Sequence, residues 1–373
     1  MNIVIAPDSY KGSMTATEVA ITIKEALKEV ANDQLTIKPM ADGGEGSIEA
    51  ILSSTYGKKV SLQTTGPAGK QIDTYYAIID QKTAIIETAL HAGITQVPEK
   101  DRNPDITTTY GIGEAINDAI DKGCNKIIVG LGGSATNDGG LGMLQALGMK
   151  AYDKNKNELG PFGKDLLMVE TIDLSGLLPK LKSIDFSIAC DVDNPLCGQH
   201  GASFVYGPQK GATNIQINTY DLALLKYADL IEKCLNMQLK EMPGAGAAGG
   251  LGFALLVLGG QLESGAKLIA RATKLDEAIK DADLVITGEG QSDEQTLYGK
   301  APSFVADIAK QYQVPTILLS GGLGENIDPL REKFAGCFSI VNKPLSLQEC
   351  MDNSKELLYA QTKQIRTLIQ HFQ

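Results

Sequence analysis

The sequence lacks the features of several protein classes. There are 34 lysines and arginines against 45 aspartates and glutamates, a net charge of −11, so no basic surface for nucleic acid or an anionic membrane is expected. None of the six cysteines forms a C-x-x-C pair or a zinc-spaced group with histidine, which favours reduced thiols and a cytoplasmic location. The longest apolar run, around FALLVLGG, is too short to cross a bilayer, and the first residues show no signal-peptide pattern.

Glycine, in contrast, is abundant, with 40 residues that cluster in loops. The stretch KIIVGLGGSATNDGGLGMLQALG begins at Lys126 as an apolar strand and then runs into closely spaced glycines. Glycine turns after strands often bind anions through their N–H groups. A simpler interpretation is that these glycines only allow the chain to reverse direction.

Both ends of the chain alternate apolar strands with amphipathic helices. NIVIAP, LTIKPM, DLVITGEG, PTILLSGG and CFSIV have strand patterns, and Thr15 with Glu18 forms a capping box before the first helix. A final helix is predicted from Leu347 to about Phe372. Such alternation is typical of right-handed βαβ units and therefore of a parallel sheet.

The middle of the chain has a different pattern. From Lys58 to Leu90, strands alternate with turns at Gly66-Pro67 and Asp80-Gln81, which indicates antiparallel pairing. We therefore predict one α/β domain with a parallel sheet, residues 1–58 and 282–373, interrupted by an inserted mixed α/β domain, residues 59–281.

Acidic residues follow three of the terminal strands. Asp8, Asp42, Glu45, Glu289 and Asp293 are expected on one edge of the sheet, where open α/β sheets bind ligands. Any one of these residues could instead cap the next helix. As a group, they indicate a site that handles the charge of a ligand.

A dinucleotide site is one alternative. Gly130, Gly132 and Ala135 match the G-x-G-x-x-G/A pattern, and Asp153 lies where a ribose-binding acid would be expected. This pattern leaves open an NAD-dependent hydroxy-acid dehydrogenase. However, the residues TNDGG delay the helix that should receive the pyrophosphate.

Phosphoryl transfer is the alternative that the residue types favour. Glycine turns and a lysine neutralise phosphate charge, carboxylates hold Mg²⁺, and one carboxylate accepts the proton of the acceptor hydroxyl. Lys11 follows Asp8 closely, and Asp191 ends an apolar strand before Asn194-Pro195, which suits a rigid base. No Walker A or protein-kinase motif is present. A binding protein without catalytic activity is a third interpretation.

Seven segments resemble the class I glycerate kinases, and together they extend over the whole chain. They are APDSYKGS at 6–13, MADGGEGS at 40–47, RNPDITTTYGIGE at 102–114, GLGGSATNDGGLGML at 130–144, ACDVDNPLCGQHGASFVYGPQKGA at 189–212, PGAGAAGGLGFALL at 243–256 and TGEGQSDEQTLYGKAP at 287–302.

The resemblance implies ATP- and Mg²⁺-dependent phosphorylation of glycerate to phosphoglycerate, with the 2-hydroxyl group favoured as acceptor. It also implies a flavodoxin-like domain interrupted by an inserted domain, with the site in the cleft between them. The expected partners are glycerate and ATP, without nucleic acid or membrane, and homo-oligomerisation is left open.

The matching motif positions, with roles assigned on chemical grounds, give a candidate site. The catalytic candidates are Asp191, Lys11 and Asp8; the substrate-binding candidates are Ser9, Arg102, Glu289 and Asp293; the ATP-binding candidates are Gly132, Gly133, Ser134, Thr136, Asn137, Gly246 and Gly249; and the metal-binding candidates are Asp42 and Asp138. Asp191 is expected to be the base, and Lys11 or Arg102 to pair with the carboxylate of glycerate.

The chain departs from the family pattern at two positions. Gln291 stands where the family usually has arginine, which leaves open whether this loop contacts phosphate. Ala92 stands where a serine is common, so a hydroxyl group is missing. Neither change removes a carboxylate or Lys11.

Overall fold

The apolar runs form the strands of two principal sheets in a computed structural model that describes residues 1–177 and 181–372. The strands are β1 (Asn2–Ile5), β2 (Gln34–Ile37), β3 (Gly57–Thr65), β4 (Gln71–Ile79), β5 (Thr83–Glu87), β6 (Lys126–Gly130), β7 (Lys150–Tyr152), β8 (Thr171–Asp173), β9 (Asp185–Ala189), β10 (Gln261–Glu263), β11 (Leu284–Thr287), β12 (Gln291–Ser292), β13 (Thr316–Ser320), β14 (Gly322–Leu323) and β15 (Gly336–Ser339).

Helices connect most of these strands, as the alternating pattern predicts. The α-helices are Ala16–Val30, Ser47–Ser54, Thr88–Ala92, Tyr110–Asp121, Leu141–Ala146, Gly163–Leu166, Ala202–Tyr206, Asn214–Leu235, Ala247–Val257, Gly265–Thr273, Leu275–Lys280, Ala301–Gln311, Asp328–Lys333, Leu347–Asp352 and Ser354–Gln370. Short 3-10 turns include Pro104–Ile106, Pro208–Lys210 and Glu294–Leu297.

The chain divides into two units. The terminal unit comprises Met1–Asp42, Glu49–Thr55 and Ala266–Gln373, and the middle unit comprises Gly43–Ile48 and Tyr56–Gly265. Residues 266–281 thus group with the terminal unit, whereas the sequence-based boundary lies at 281. The inserted-domain arrangement itself stays a prediction.

The terminal unit is built on a parallel sheet with the strand order β15-β13-β11-β1-β2. Ile3, Ile5 and Leu319 of these strands are buried with Val19 and Leu358 of the covering helices. The predicted capping box is confirmed, because the Thr15 hydroxyl accepts from Glu18 N–H while the Glu18 carboxylate accepts from Thr15 N–H. Numbered along this unit, the order is 2-1-3-4-5, which doubly wound sheets use to place ligand sites at the carboxyl ends of their strands.

The middle unit contains a mixed sheet with the order β10-β9-β6-β5-β4-β3. Strands β3, β4 and β5 are antiparallel, which confirms the predicted pairing, and the turn at Asp80 and Gln81 has positive φ at both residues. Strands β5, β6, β9 and β10 are parallel. The carboxyl ends of these four strands therefore meet at one edge of the sheet.

The last helix differs from the prediction of one element from Leu347 to Phe372. The structure has two helices, separated at Asn353, whose side-chain amide donates to the Glu349 carbonyl at 2.7 Å. Asparagine competes with helical hydrogen bonding in this way, so it can end a helix. Over residues 1–177 and 181–372, no helix combines the length and the apolar character that crossing a bilayer requires.

Candidate active site

Three carboxylates of the terminal unit follow neighbouring parallel strands. Asp8 follows β1, Asp42 follows β2 and Glu289 follows β11. Burial raises the pKa of Asp8 to about 7; the charges of Asp42 and Glu289 add to this rise, while Ser9 N–H and Lys11 oppose it. The predicted acidic edge therefore exists within this unit for these three residues.

Lys11 supplies positive charge at the same edge. Its Nζ lies 3.4 Å from Asp42 Oδ2, and most of its side chain is exposed. Asp42 is the main cause of the raised pKa of Lys11, so the lysine stays charged at neutral pH. An exposed ammonium group that is only partly neutralised can bind a carboxylate or phosphate.

Glu289 is more enclosed, with 8% of its surface exposed. Oε1 accepts hydrogen bonds from Ser292 Oγ at 3.1 Å and Thr296 Oγ1 at 2.7 Å, and Oε2 pairs with Lys300 Nζ at 3.3 Å. Sequence reasoning did not select Lys300, although it stands within the quoted motif at 287–302. These contacts hold Glu289 in place and bring a second lysine to this part of the unit.

Asp293 has a capping role in the structure. Its Oδ1 accepts from Gln295 N–H at 2.9 Å at the start of the turn Glu294–Leu297. This is the helix-cap alternative that the sequence left open, and the predicted contact of Asp293 with substrate stays a prediction.

In the middle unit, β6 leads into a segment that we call the glycine turn, residues 130–142. Asp138 lies inside it with 0% of its surface exposed. Its carboxylate accepts from Thr109 N–H at 2.8 Å, Thr109 Oγ1 at 2.7 Å, Gly140 N–H at 3.1 Å and Gly142 N–H at 3.3 Å. Burial raises the pKa of Asp138, and the four hydrogen bonds oppose the rise.

These contacts favour a role for Asp138 in shaping the glycine turn. A carboxylate that already accepts four hydrogen bonds has little capacity left for a cation. In the part of the chain that the structure describes, no group of three or more His, Cys, Asp or Glu side chains forms a metal site. The predicted metal role of Asp138 stays a prediction, and Asp42, at the exposed edge of the terminal unit, suits that role better.

Several glycines selected as ATP-binding candidates are required by packing. A Cβ atom would meet the Gly44 backbone at Gly132, the Pro195 carbonyl at Gly246 and the Thr136 carbonyl at Gly249. Gly139 N–H also donates to the Gly249 carbonyl at 3.0 Å. The glycine turn and the 246–249 segment are thus brought together within the middle unit. Gly133 differs, because it is exposed and has a φ of +71°.

Polar side chains of the glycine turn point inward. Asn137 Nδ2 donates to Ser203 Oγ at 2.9 Å. Lys210 Nζ donates to Ser134 Oγ at 2.9 Å and to the Thr136 carbonyl at 2.6 Å. Sequence reasoning did not select Lys210, although it lies in the motif at 189–212. Its position next to the turn could not be read from spacing alone.

Asp191 follows β9, the neighbour of β6, so it lies at the same edge of the sheet as the glycine turn. Its side chain is exposed, and Oδ1 accepts from Gly265 N–H at 3.1 Å. This backbone hydrogen bond helps to orient the carboxylate, and the side chain is accessible to solvent. This arrangement suits the predicted base.

Arg102 lies near the Lys210 segment of the middle unit. Its guanidinium donates to the Val97 carbonyl at 3.5 Å and to the Gln209 carbonyl at 3.4 Å. These neutral acceptors leave its positive charge without full compensation, so it could attract an anionic ligand.

The dinucleotide alternative is not favoured by the environment of Asp153. Its carboxylate accepts from Asn155 N–H and Asn157 N–H, both at 2.8 Å, and from Asn157 Nδ2 at 3.0 Å. Asp153 therefore closes an exposed turn rather than facing a ribose site.

Comparisons with known proteins agree with the motif resemblance. The model of the glycerate kinase family matches residues 3–370. A glycerate kinase of Halalkalibacterium halodurans is 45% identical over 360 residues, 95% of each chain. A glycerate 2-kinase of Escherichia coli strain K12 is 46% identical over 353 residues, 94% of this chain and 93% of the relative.

A solved structure gives the same result for the fold. A crystal structure from Salmonella typhimurium LT2, classed with the glycerate kinases, has a TM-score of 0.90 and 41% sequence identity to this chain. The match covers 100% of this chain and 98% of the other.

Proposed function

Because the chain belongs to the glycerate kinase family, we propose that it transfers the γ-phosphoryl group of ATP to a hydroxyl group of glycerate. The observation that carries this proposal is the grouping of Asp8, Lys11, Asp42 and Glu289 at one sheet edge. Phosphoryl transfer depends on positioning and on charge neutralisation, and these residues supply both signs of charge.

The terminal unit has oxygen ligands that fit Mg²⁺. Mg²⁺ in kinases is usually held by one or two carboxylates together with substrate phosphates and water. Asp42, next to Asp8, matches that donor set. When bound, the ion would neutralise charge on the transferred phosphoryl group.

The protein residues have the following proposed roles. Ser9 and Lys11 orient glycerate, and Lys11 or Arg102 pairs with its carboxylate group. Asp191 accepts the proton of the attacking hydroxyl, because its side chain is exposed and its Oδ1 is oriented by Gly265 N–H. The glycine turn and the segment 246–249 bind ATP.

We favour the 2-hydroxyl group of glycerate as acceptor and therefore 2-phosphoglycerate as product. The E. coli relative, 46% identical, is a glycerate 2-kinase, which supports this choice. The cleft location that the resemblance implies stays a prediction.

A single assay tests this function. ADP release is measured with ATP and Mg²⁺, with and without D-glycerate, and the product is analysed by ³¹P NMR against authentic 2- and 3-phosphoglycerate. We expect ADP release that depends on glycerate and a product that matches 2-phosphoglycerate. If glycerate does not stimulate ADP release, the kinase proposal is wrong; if the product is 3-phosphoglycerate, only the position is wrong.

A further inference from the structure

Lys210 has an ammonium group buried inside the middle unit. The residue ends the 3-10 turn Pro208–Lys210, and only 2% of its surface is exposed. Lysine is almost never buried to this extent unless its charge is compensated, because removing an ammonium group from water is costly. A specific role for this charge is therefore expected.

The hydrogen bonds of Lys210 do not provide that compensation. Nζ donates to the Ser134 hydroxyl and the Thr136 carbonyl, which are neutral oxygens and use two of its three N–H groups. Burial lowers the pKa of Lys210 to about 7, although the charge of Asp138 opposes the change. A bound anion near the glycine turn would stabilise the charged form further.

The glycine turn also carries polar atoms that need a partner. Among the residues that the structure describes, Thr136 Oγ1 and Asn137 Oδ1 are buried without a hydrogen bond. Their side chains belong to residues that are 0% and 1% exposed. Native proteins rarely leave such atoms without a hydrogen bond, because burying an unpaired polar atom costs free energy relative to its exposure to water. A group from outside the chain, a ligand or an ordered water, would complete the hydrogen bonding here.

We propose that Lys210 is a positioning residue for nucleotide binding. It fixes the Ser134–Thr136 segment of the glycine turn, and its charge favours the phosphates of ATP at that turn. The inference rests on the proposed function, because that function places ATP at the glycine turn. Lys210 acts through Ser134 and Thr136.

Lys38 of the terminal unit provides a matched control. Its Nζ donates to the carbonyl oxygens of Thr273 at 2.6 Å and Ser54 at 3.5 Å, each the last residue of a helix. Burial also lowers the pKa of Lys38. Cations stabilise helix C-termini, so this lysine is expected to serve the fold alone.

The test compares Lys210→Met, Ser134→Ala and Lys38→Met with the unchanged protein. Affinity for the non-hydrolysable β,γ-imido analogue of ATP, with Mg²⁺, is measured by calorimetry, and the KM values for ATP and glycerate are measured separately. Lys210→Met should weaken analogue binding and raise the KM for ATP by about tenfold or more, as loss of a hydrogen bond to a charged group predicts.

The control measurements distinguish a positioning role of Lys210 from a role in folding alone. Lys210→Met should leave the KM for glycerate within about twofold of its original value, and Ser134→Ala should shift analogue affinity in the same direction by a smaller factor. Lys38→Met should lower the melting temperature without changing analogue affinity. Lys210→Arg, which keeps the charge, should recover part of the affinity.

Two results would overturn the inference. One is unchanged analogue affinity in both Lys210→Met and Ser134→Ala. The other is a lower melting temperature for Lys210→Met with both KM values unchanged, which indicates a purely structural lysine. Calorimetry does not need turnover, so a protein that binds the analogue but does not phosphorylate glycerate would refute the proposed function while leaving Lys210 testable.

Discussion

At the scale of single residues, three aspartates have different surroundings and therefore different expected chemistry. Asp138 is enclosed by four hydrogen-bond donors. Burial raises the pKa of Asp8, and the charges of Asp42 and Glu289 add to the rise. Asp191 is exposed, and its Oδ1 accepts from Gly265 N–H in the middle unit. Of the three, Asp191 has the accessibility that a proton acceptor for a bound hydroxyl needs.

The first prediction concerns Asp191→Asn. Removing a general base typically lowers the rate by about 10²–10⁴-fold, so kcat should fall by this factor while the melting temperature stays nearly unchanged. Steady-state kinetics and thermal unfolding measure the two effects. Asp193→Asn, also at an exposed position, is the control and should keep nearly full activity. A variant at Asp191 that retains most of its kcat would show that another group is the base.

The sequence predicted which residue types lie at the candidate site better than it predicted the burial and contacts of their side chains. Asp8, Asp42 and Glu289 were predictable because strand ends of a parallel sheet share an edge. Lys210 was not, because its contact with Ser134 joins residues 76 positions apart. Whether a lysine is buried depends on the folded chain, and no local sequence pattern indicates it.

At the scale of elements, glycine serves packing between segments of the middle unit. Gly249 has a φ of +71°, and a Cβ atom there would meet the Thr136 carbonyl. The flanking residues Ala248 and Gly250 also have positive φ, so the helix Ala247–Val257 starts with a left-handed segment. From sequence, glycines of this kind look the same as glycines that bind phosphate.

We therefore expect Gly249→Ala to be strongly destabilising. It combines an unfavourable φ with overpacking against the glycine turn, about 2–5 kcal/mol in total. Gly123→Ala is the matched control, because Gly123 has a φ of +89° but nothing within 4 Å of the added atom. The control should lose only about 1–2 kcal/mol. Equal losses in urea unfolding would show that packing at Gly249 contributes nothing.

A buried ion pair ties the C-terminal helix of the terminal unit to the segment before β2. Asp33 accepts from Arg366 Nε at 2.6 Å and Arg366 Nη2 at 2.9 Å, and it also pairs with the N-terminal amine at 3.1 Å. Asp33→Asn leaves the buried Arg366 without its partner, so unfolding free energy should fall by about 3–5 kcal/mol at neutral pH. Denaturant titration measures the loss.

The pH dependence of this pair has a definite sign. The hydrogen bonds from Arg366 lower the pKa of Asp33 below its ordinary value of 3.8. The stabilisation is therefore fully present above that value and is lost as the pH falls through the lowered pKa. The difference between Asp33→Asn and the unchanged protein should shrink in acid. Lys363→Met, which breaks the exposed pair with Glu29, should change stability little at any pH, because solvent screens such pairs.

The secondary structure was predicted best where the local signal was strong. Apolar runs predicted the parallel strands of the terminal unit, and turn residues predicted the antiparallel strands β3 to β5. The break at Asn353 was missed because the hydrophobic spacing continues across it. The two-residue strands β12 and β14 were also missed, since they pair through contacts that no periodicity records.

At the scale of the whole molecule, the net charge of −11 works against an anionic substrate. Under the proposed function, binding of ATP and glycerate depends on local cations and on Mg²⁺, since repulsion from the remaining surface is screened within about 10 Å at moderate salt. Lys11 and Lys300 are candidates for such charge in the terminal unit, and Arg102 and Lys210 are candidates in the middle unit.

This dependence on Mg²⁺ can be measured through stability. The ATP analogue with Mg²⁺ at about 100 times its Kd should raise the unfolding free energy by about 2.7 kcal/mol, since it binds the folded chain alone. Removing Mg²⁺ with EDTA should reduce this gain, because the ion then no longer neutralises the phosphate charge of the analogue. Asp42→Asn should abolish most of the Mg²⁺-dependent part, whereas Asp352→Asn, an exposed acid of the same unit, should preserve it. Thermal unfolding with and without Mg²⁺ measures this difference. An undiminished Mg²⁺ effect in Asp42→Asn would show that Asp42 does not hold the metal.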